Sequence, residues 1–477
     1  MKRNGRKILG YIIAIIAVIV LIIFYNKYNF NNFDKNIRNR NATEFVRDNK
    51  VKCSKMTSYS MNNKEYNDAM FSMHVEVTPN TPYRVTCMVK TENVENEDAT
   101  SEGGAHICSA TTQERSRAIT GTNDWQEMTF MFNSKNETEV DIGFRLGGFD
   151  TLSKGKVWFS DFKMEKGVAT TSNIWNMACF IFPNIDVNVD INGKTQHVSL
   201  QMSDDDIATI QTNLLRFKSS IKELSNEKMI INYDSYVINE PIKTLSHDED
   251  NGFFVSASDV YEYINSYVEE KEYDHIYVAF RMADTQMGEN ILVNDWIGLG
   301  GMDYYGIGFS NIRMPDDRNN LVYKFNYRIN TFPEEVFIHE FLHTLERNSQ
   351  EYNYEIPELH NYAKYGYTED AREGLKKWYI AYMNKTIKYN GTYIGLPEDI
   401  YTKKPVHASN FKYGLPMDSF EEPKGVIEVT QSIISRIKKL FKSRPVKIKQ
   451  EQNYLTIVEG DTKWKFQTLT IIYQKNL

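Results

Sequence analysis

Apolar residues follow three different patterns along the chain. The first is Ile8 to Tyr25, an unbroken run of 18 residues without charge. As a helix it covers roughly 27 Å, enough to span a bilayer with slight local thinning. Lys2, Arg3, Arg6 and Lys7 precede it, and Lys27, Lys35, Arg38 and Arg40 follow. A short basic end is expected to stay inside the cell. Residues 1–7 are therefore read as a cytoplasmic tail and 8–25 as a single-pass signal anchor. Residues 26–50, rich in Asn and charge, read as a solvated stalk. The competing reading is a cleaved leader, although Asn26-Lys27-Tyr28 offers no small-residue cleavage site. Both readings place the remainder outside the cell, on its membrane or secreted.

The second pattern is alternation. Tyr83–Lys90, Gln126–Phe132, Val140–Leu146 and Lys156–Met164 switch between apolar and polar with period two and are separated by turn residues. Residues 51–167 are accordingly expected to form an all-β sandwich. The third pattern begins near 175. Ile207, Ile210, Leu214, Ile221 and Leu224 recur at helical spacing after Ser203, a candidate N-cap. Met229–Tyr233 and His275–Phe280 read as strands, and Ser258–Glu270 as a helix. Trp296–Gly301 and Tyr305–Phe309 are Gly-rich, strand-like pieces. Residues 175–445 thus form a mixed α and β domain. Residues 446–477 are expected to make a β-hairpin extension around Gly460-Asp461.

Composition adds exclusions. Lys plus Arg is 56 against 63 for Asp plus Glu, a net charge of -7 over 477 residues. A diffuse acidic balance excludes a globally basic nucleic-acid footprint. Cys53, Cys87, Cys108 and Cys179 are too few for a disulfide scaffold, and with no Cys-x-x-Cys pair they disfavour a cysteine zinc site.

Candidate chemistry is concentrated in Thr331-Phe-Pro-Glu-Glu-Val-Phe-Ile-His-Glu-Phe-Leu-His-Thr-Leu-Glu-Arg347. Thr331 with Glu334 suggests a capping box, and Pro333 is tolerated in a first turn. Val336, Phe337, Phe341 and Leu345 bury most of this helix. His339 and His343, at i and i+4, share one face, so both imidazoles can meet one Zn2+ ion. Glu340 lies beside the first ligand and can act as general base toward a water on the metal.

The motif His339-Glu340-x-x-His343 resembles the zincin metallopeptidases. The resemblance implies a zinc metalloendopeptidase whose edge strand, Tyr305–Phe309 or Trp296–Leu299, pairs with extended substrate backbone. It also implies a third metal ligand further along the chain. The metzincin extension is absent, because Glu346 and Ser349 stand where Gly and His or Asp belong. Glu346 is a turn too far along the same face to close round one ion, and reads as a residue behind the ligands or a surface charge. His360 lies 17 residues after His343, close to the spacing at which gluzincins and enhancin-like mucin-degrading peptidases place a Glu. His360 is the leading third ligand, with Glu355, Glu358, Glu351 or a later acid as alternatives. Tyr362, Tyr365 and Tyr367 are candidate donors to an oxyanion.

Tyr83-Arg-Val, Trp125, Val140–Phe144 and Gly155-Lys-Val-Trp-Phe-Ser-Asp-Phe-Lys-Met-Glu165 resemble the jelly-roll carbohydrate-binding modules of secreted glycosidases. That resemblance implies a possible carbohydrate ligand; the plain alternative is that Trp125, Phe144, Trp158 and Phe159 are core. The joint expectation is a membrane-anchored extracellular zinc peptidase acting on peptide or glycoprotein, with a glycan-binding accessory domain. One rival is a catalytically silent glycan-binding surface protein with a zincin fold. The other is a glycosidase, which needs two carboxylates facing one cleft, and none is paired in the sequence.

Overall fold

A computed structural model describes residues 43–53, 56–97, 103–110, 114–148, 151–191, 193–282, 296–315, 332–370 and 374–412, with Val293, Leu415–Pro416 and three later strands. The proposed membrane anchor at 8–25 and the cytoplasmic tail lie outside the described residues. Among the described residues, no helix is long and apolar enough to cross a membrane. The protein is rich in strands, with few helices.

The first unit is a β-sandwich. Its strands are β1 (Thr43–Cys53), β2 (Met56–Asn67), β3 (Ala69–Glu76), β4 (Pro82–Asn96), β5 (Gly104–Ser109), β6 (Gly121–Asn133), β7 (Glu139–Gly147) and β8 (Ser153–Lys166). One sheet runs β1-β2-β8-β4-β6 and the other β3-β7-β5, all antiparallel. Sequential strands cross between the two sheets, as in a jelly roll. Period-two patterning explains the packing: on β4, Tyr83, Val85, Cys87 and Val89 face the core while Arg84, Thr86, Met88 and Lys90 are half-buried. Phe71, Phe144, Phe159 and Phe162 fill the middle, with Phe144 and Phe162 edge to face at 4.7 Å. Inside this unit, buried Arg145 and Asp68 form an ion pair. The stalk reading needs correction at its end: β1 starts at Thr43 and pairs with β2 from Thr43↔Asn63 onward.

The second unit follows directly. Its strands are β9 (Ile174–Phe182), β10 (Asn184–Ile191), β11 (Lys194–Gln201), β12 (Ile230–Val237), β13 (Ser246–Asp248), β14 (Gly252–Phe254), β15 (His275–Met282), β16 (Gly298–Tyr304) and β17 (Ile307–Pro315). Its principal helices are α1 (Asp204–Leu224), α2 (Ala257–Lys271), α3 (Glu335–Glu351) and α4 (Lys376–Met383). The sheet order is β12-β9-β15-β17-β16; the first four strands are parallel and β16 is an antiparallel edge. Both faces are covered, which explains the continuous apolar run of β9. Trp175, Met177, Cys179 and Ile181 meet α1, α3 and α4 on one side; Ala178, Phe180 and Phe182 meet α2 and the β10–β11 hairpin on the other. Ser203 caps α1 in a capping box with Asp206.

Smaller elements close the chain: the hairpin β18 (Ile387–Tyr389) with β19 (Thr392–Ile394), and β20 (Leu415–Pro416), which joins the end of β8. β21 (Lys447–Glu451), β22 (Tyr454–Glu459) and β23 (Thr462–Gln467) form a three-stranded antiparallel sheet, one strand more than a hairpin.

Candidate metal centre

Helix α3 carries the first two predicted ligands. It begins at Glu335, with Glu334 as its cap residue. Thr331, of the expected capping box, lies outside the described residues, and Glu334 accepts a bond from Ser220 Oγ on α1 at 2.5 Å. Phe337, Ile338, Phe341, Leu342 and Leu345 are buried against the sheet and α1. That burial fixes the rotation of the helix and leaves His339 and His343 half-buried on one side.

His360 arrives from a separate element, the second residue of a 3-10 turn spanning Leu359–Tyr365. The Nε2 atoms of His339 and His360 are 2.8 Å apart, those of His343 and His339 3.2 Å, and those of His343 and His360 3.2 Å. Among the described residues these three are the group of metal-ligating type that converges on one point. Two nitrogens bound at about 2.0–2.1 Å to one tetrahedral ion stand roughly 3.3 Å apart, close to these separations.

The outer nitrogens settle the tautomers. His343 Nδ1 lies 2.8 Å from Glu346 Oε2, and a carboxylate only accepts, so Nδ1 carries the proton. Tyr379 donates its hydroxyl to Glu335 Oε1 at 2.6 Å, so it accepts from His339 Nδ1, 3.0 Å away. Both Nε2 atoms then present lone pairs toward His360 Nε2. His360 Nε2 can meet them in either of two ways, by carrying its own proton and donating to them or by sharing a cation with them. The residues present fit a zinc ion. Burial, and then the neighbouring His343 imidazole, hold the His360 pKa below the usual histidine range, against Glu346 and Glu358.

Glu346 does more than orient one ring. Its other oxygen accepts the backbone N–H of Leu359 at 2.7 Å, the residue before His360. One buried carboxylate thus fixes an imidazole on α3 and the segment that delivers the third. The alternative third ligands go elsewhere: Glu358 accepts from Asn361, and Glu351 pairs with Lys135 at 2.7 Å. Glu355 is not in the converging group.

Glu340 is 5% exposed and faces the edge strand. A Cβ on Gly300 would stand 2.7 Å from Glu340 Oε2, and one on Gly298 would collide with Oε1. Glycine at both positions is what lets the β16 backbone lie against the carboxylate. The edge is therefore the segment beginning at Gly298. Tyr305–Phe309, the other candidate, leads into β17, which is enclosed between β15 and β16.

A cavity of about 280 Å³ opens beside the histidines, walled by Glu335, His339, His360, Tyr362, Trp378 and Tyr379 among others. Tyr362 lines it and donates to Glu369 at 2.7 Å. Tyr365 stacks on Trp378 and Tyr367 packs against the same ring, so both are packing residues. Sequence reasoning missed Glu335 and Tyr379. Glu335, at i−4 from His339, was recoverable from helical spacing; Tyr379, 40 residues away, was not.

In the sandwich, Phe144 and Phe159 are core. Trp158 is buried but lies outside that core cluster, paired in register with Lys90 and under the Lys156 ammonium at 4.3 Å. Trp125 is half-buried, next to Asp124, which accepts from Lys90 Nζ at 2.7 Å. All four cysteines are free thiols. Burial pushes those of Cys87, Cys108 and Cys179 up, making them poor nucleophiles.

No protein-family model matches the chain, and no curated protein matches it. Among solved structures it is similar to carbohydrate-binding modules. CBM4 is 14% identical, matched over 24% of this chain and 73% of its own, with a TM-score of 0.18. TmCBM61, solved with β-1,4-galactotriose, is 18% identical over 26% of this chain and 81% of its own, with a TM-score of 0.16. The module CBM6cm-2 of Cellvibrio mixtus lichenase 5A, solved with cellotriose, is 10% identical over 27% and 92%, with a TM-score of 0.17. At these TM-scores the likeness carries no further argument, and the sandwich is assigned from its own strand order.

Proposed function

We propose that this chain is a zinc-dependent endopeptidase of zincin type, held at the cell surface by residues 8–25 and acting on extended segments of protein or glycoprotein. The observation that carries the reading is the meeting of His339 and His343 of α3 with His360 of the 3-10 turn at one point, beside Glu340, which faces a glycine-lined edge strand. Zinc bound by the three imidazoles supplies a Lewis acid and a water of lowered pKa. The work of the protein's own groups follows from their placement. Glu346, and Tyr379 with Glu335, hold His343 and His339 in the tautomer that leaves Nε2 free. Among the described residues β16 pairs on one side only, and its other side, apart from the Gly301 and Met302 carbonyls bonded by Arg347, offers backbone N–H and C=O groups to a substrate strand, which lays a peptide bond beside Glu340. The Glu340 carboxylate takes a proton from water as that water attacks the carbonyl carbon. It then gives the proton to the departing amine, so the acid ends as it began.

The sandwich is given a glycan-binding role in this reading. Trp125 is half-buried beside the Lys90–Asp124 pair and is the ring this reading gives to a sugar, since Trp158 is buried under the Lys156 ammonium. Short oligosaccharides are the probes for that role.

The test is hydrolysis of a diverse peptide library by the purified extracellular part. Turnover that stops with a chelator, returns with zinc and is lost in Glu340→Gln supports the peptidase. An absence of turnover together with retained glycan binding favours the silent binding protein. Turnover of glycosides that chelator leaves untouched favours a glycosidase.

A further inference from the structure

Two independent contacts from the sandwich converge on the same half of the edge strand. The first starts at Lys135, in the turn between β6 and β7 and 8% exposed. Its ammonium lies 2.8 Å from Glu114 and 2.7 Å from Glu351, at the C-terminal end of α3. Glu351 in turn faces Arg347 Nε at 3.9 Å. Arg347 Nη1 donates to the carbonyls of Gly301 at 3.2 Å and Met302 at 2.9 Å, and Nη2 lies 3.4 Å from Asp303 Oδ1. The second contact starts at Arg117, whose guanidinium sits 3.8 Å above the Tyr261 ring and 2.8 Å from Glu262 on α2. Tyr261 meets Tyr305 edge to face at 5.7 Å, at the turn that ends β16.

That half of β16 needs holding. Its register against β17 shifts between Leu299 and Met302, and Gly301 has φ +74°. A bulge of this kind turns carbonyls out of the ladder. Arg347 Nη1 donates to two of them and fixes the bend that sets Gly298 and Gly300 against Glu340. A crevice of about 910 Å³ lies between the two units, walled by Lys135, Arg347, Asp303, Tyr305, Glu351 and others.

We propose that the sandwich is a positioning element for the edge strand as well as a tether: Lys135, through Glu351 and Arg347, holds the β16 bulge in the shape that accepts substrate backbone. The consequence for catalysis rests on the peptidase reading; the mechanical coupling does not. Hydrogen exchange of the extracellular chain, followed by mass spectrometry, separates the two. In Lys135→Met the amides of Met302–Tyr304 are expected to exchange at least fivefold faster, while those of β9, β15 and the sandwich core keep their rates. Lys135→Arg restores the native rate within twofold. Should Lys135→Met open both units together, Glu351→Gln, which keeps the packing volume, decides by the same criterion. Unchanged exchange in β16, or a rise spread evenly over the whole second unit, overturns the proposal. A wild-type chain that hydrolyses no peptide defeats the peptidase reading and leaves this result standing. If the wild type does hydrolyse peptides, Lys135→Met is expected to raise KM several-fold with little change in kcat.

Discussion

Replacing Glu346 by Gln changes one charge and almost no volume, at a group with two duties. The native carboxylate is 9% exposed, and its oxygens accept from His343 Nδ1 at 2.8 Å and from the Leu359 N–H at 2.7 Å. The amide can keep only one of these bonds. If its oxygen turns to Leu359, its NH2 meets the Nδ1–H of His343, donor against donor. If its oxygen turns to His343, the buried Leu359 N–H faces another donor and the segment carrying His360 loses its anchor. Losing a hydrogen bond to a charged group costs about 1.5–3 kcal/mol. At 1.4 kcal/mol per decade, that is roughly ten- to 150-fold in zinc affinity, in line with the usual effect of groups behind metal ligands. The assay is competition for zinc against a chromophoric chelator at neutral pH, with near-ultraviolet circular dichroism to show that the fold persists. His197→Gln, at an exposed histidine of the β10–β11 hairpin, serves as control and is expected to leave the titration unchanged. A Glu346→Gln chain that binds zinc within twofold of wild type would refute the argument that this carboxylate shapes the site.

Glu340→Gln should bind zinc normally and hydrolyse peptide at least 100-fold more slowly, the scale of a lost general base; loss of zinc in that variant would show that Glu340 is a ligand instead. Gly300→Ala brings a methyl against the Glu340 backbone and carboxylate, and is expected to cost about 1–3 kcal/mol in urea unfolding together with most turnover; wild-type stability and turnover would mean that the edge strand does not approach Glu340. His275 is fully buried, with its pKa lowered by burial and then by Arg347 to about 3. Its folded pKa is depressed, so its contribution is complete above the unfolded value near 6.5 and is lost as pH falls toward 3. From pH 6.5 to 5 the metal-free chain should lose about 1.5 kcal/mol from this group, and His275→Gln should remove that part of the slope in urea titrations; parallel curves would contradict it. Trp125→Ala should weaken oligosaccharide binding about tenfold without lowering the melting temperature; unchanged binding would take Trp125 out of any sugar site.

What the sequence made legible was whatever lies close along the chain. His339, Glu340 and His343 fall within two turns of one helix, so local geometry alone predicts a shared face. His360 was reached through the zincin resemblance and its spacing, and the 3-10 turn does bring it to the other two. Tyr379 was invisible, because its contact with His339 depends on how α4 packs behind α3. The edge strand was ambiguous for a related reason: two Gly-rich runs flank one turn, and only the pairing of the strands decides which is outermost. β1 was misread as stalk because an Asn-rich, charged composition says nothing about the partner strand that orders it. The sandwich strands were plain from alternation, whereas the parallel order of the second sheet, set by long crossovers, was not.

The measurement that goes straight to the centre of this account is the metal content of the purified chain, by plasma mass spectrometry after exhaustive dialysis. The account predicts one zinc per chain, with occupancy falling below a tenth in each of His339→Ala, His343→Ala and His360→Ala while the strand signature in circular dichroism persists. A chain that holds no zinc when supplied with it, or one that holds zinc equally well without His360, would contradict it.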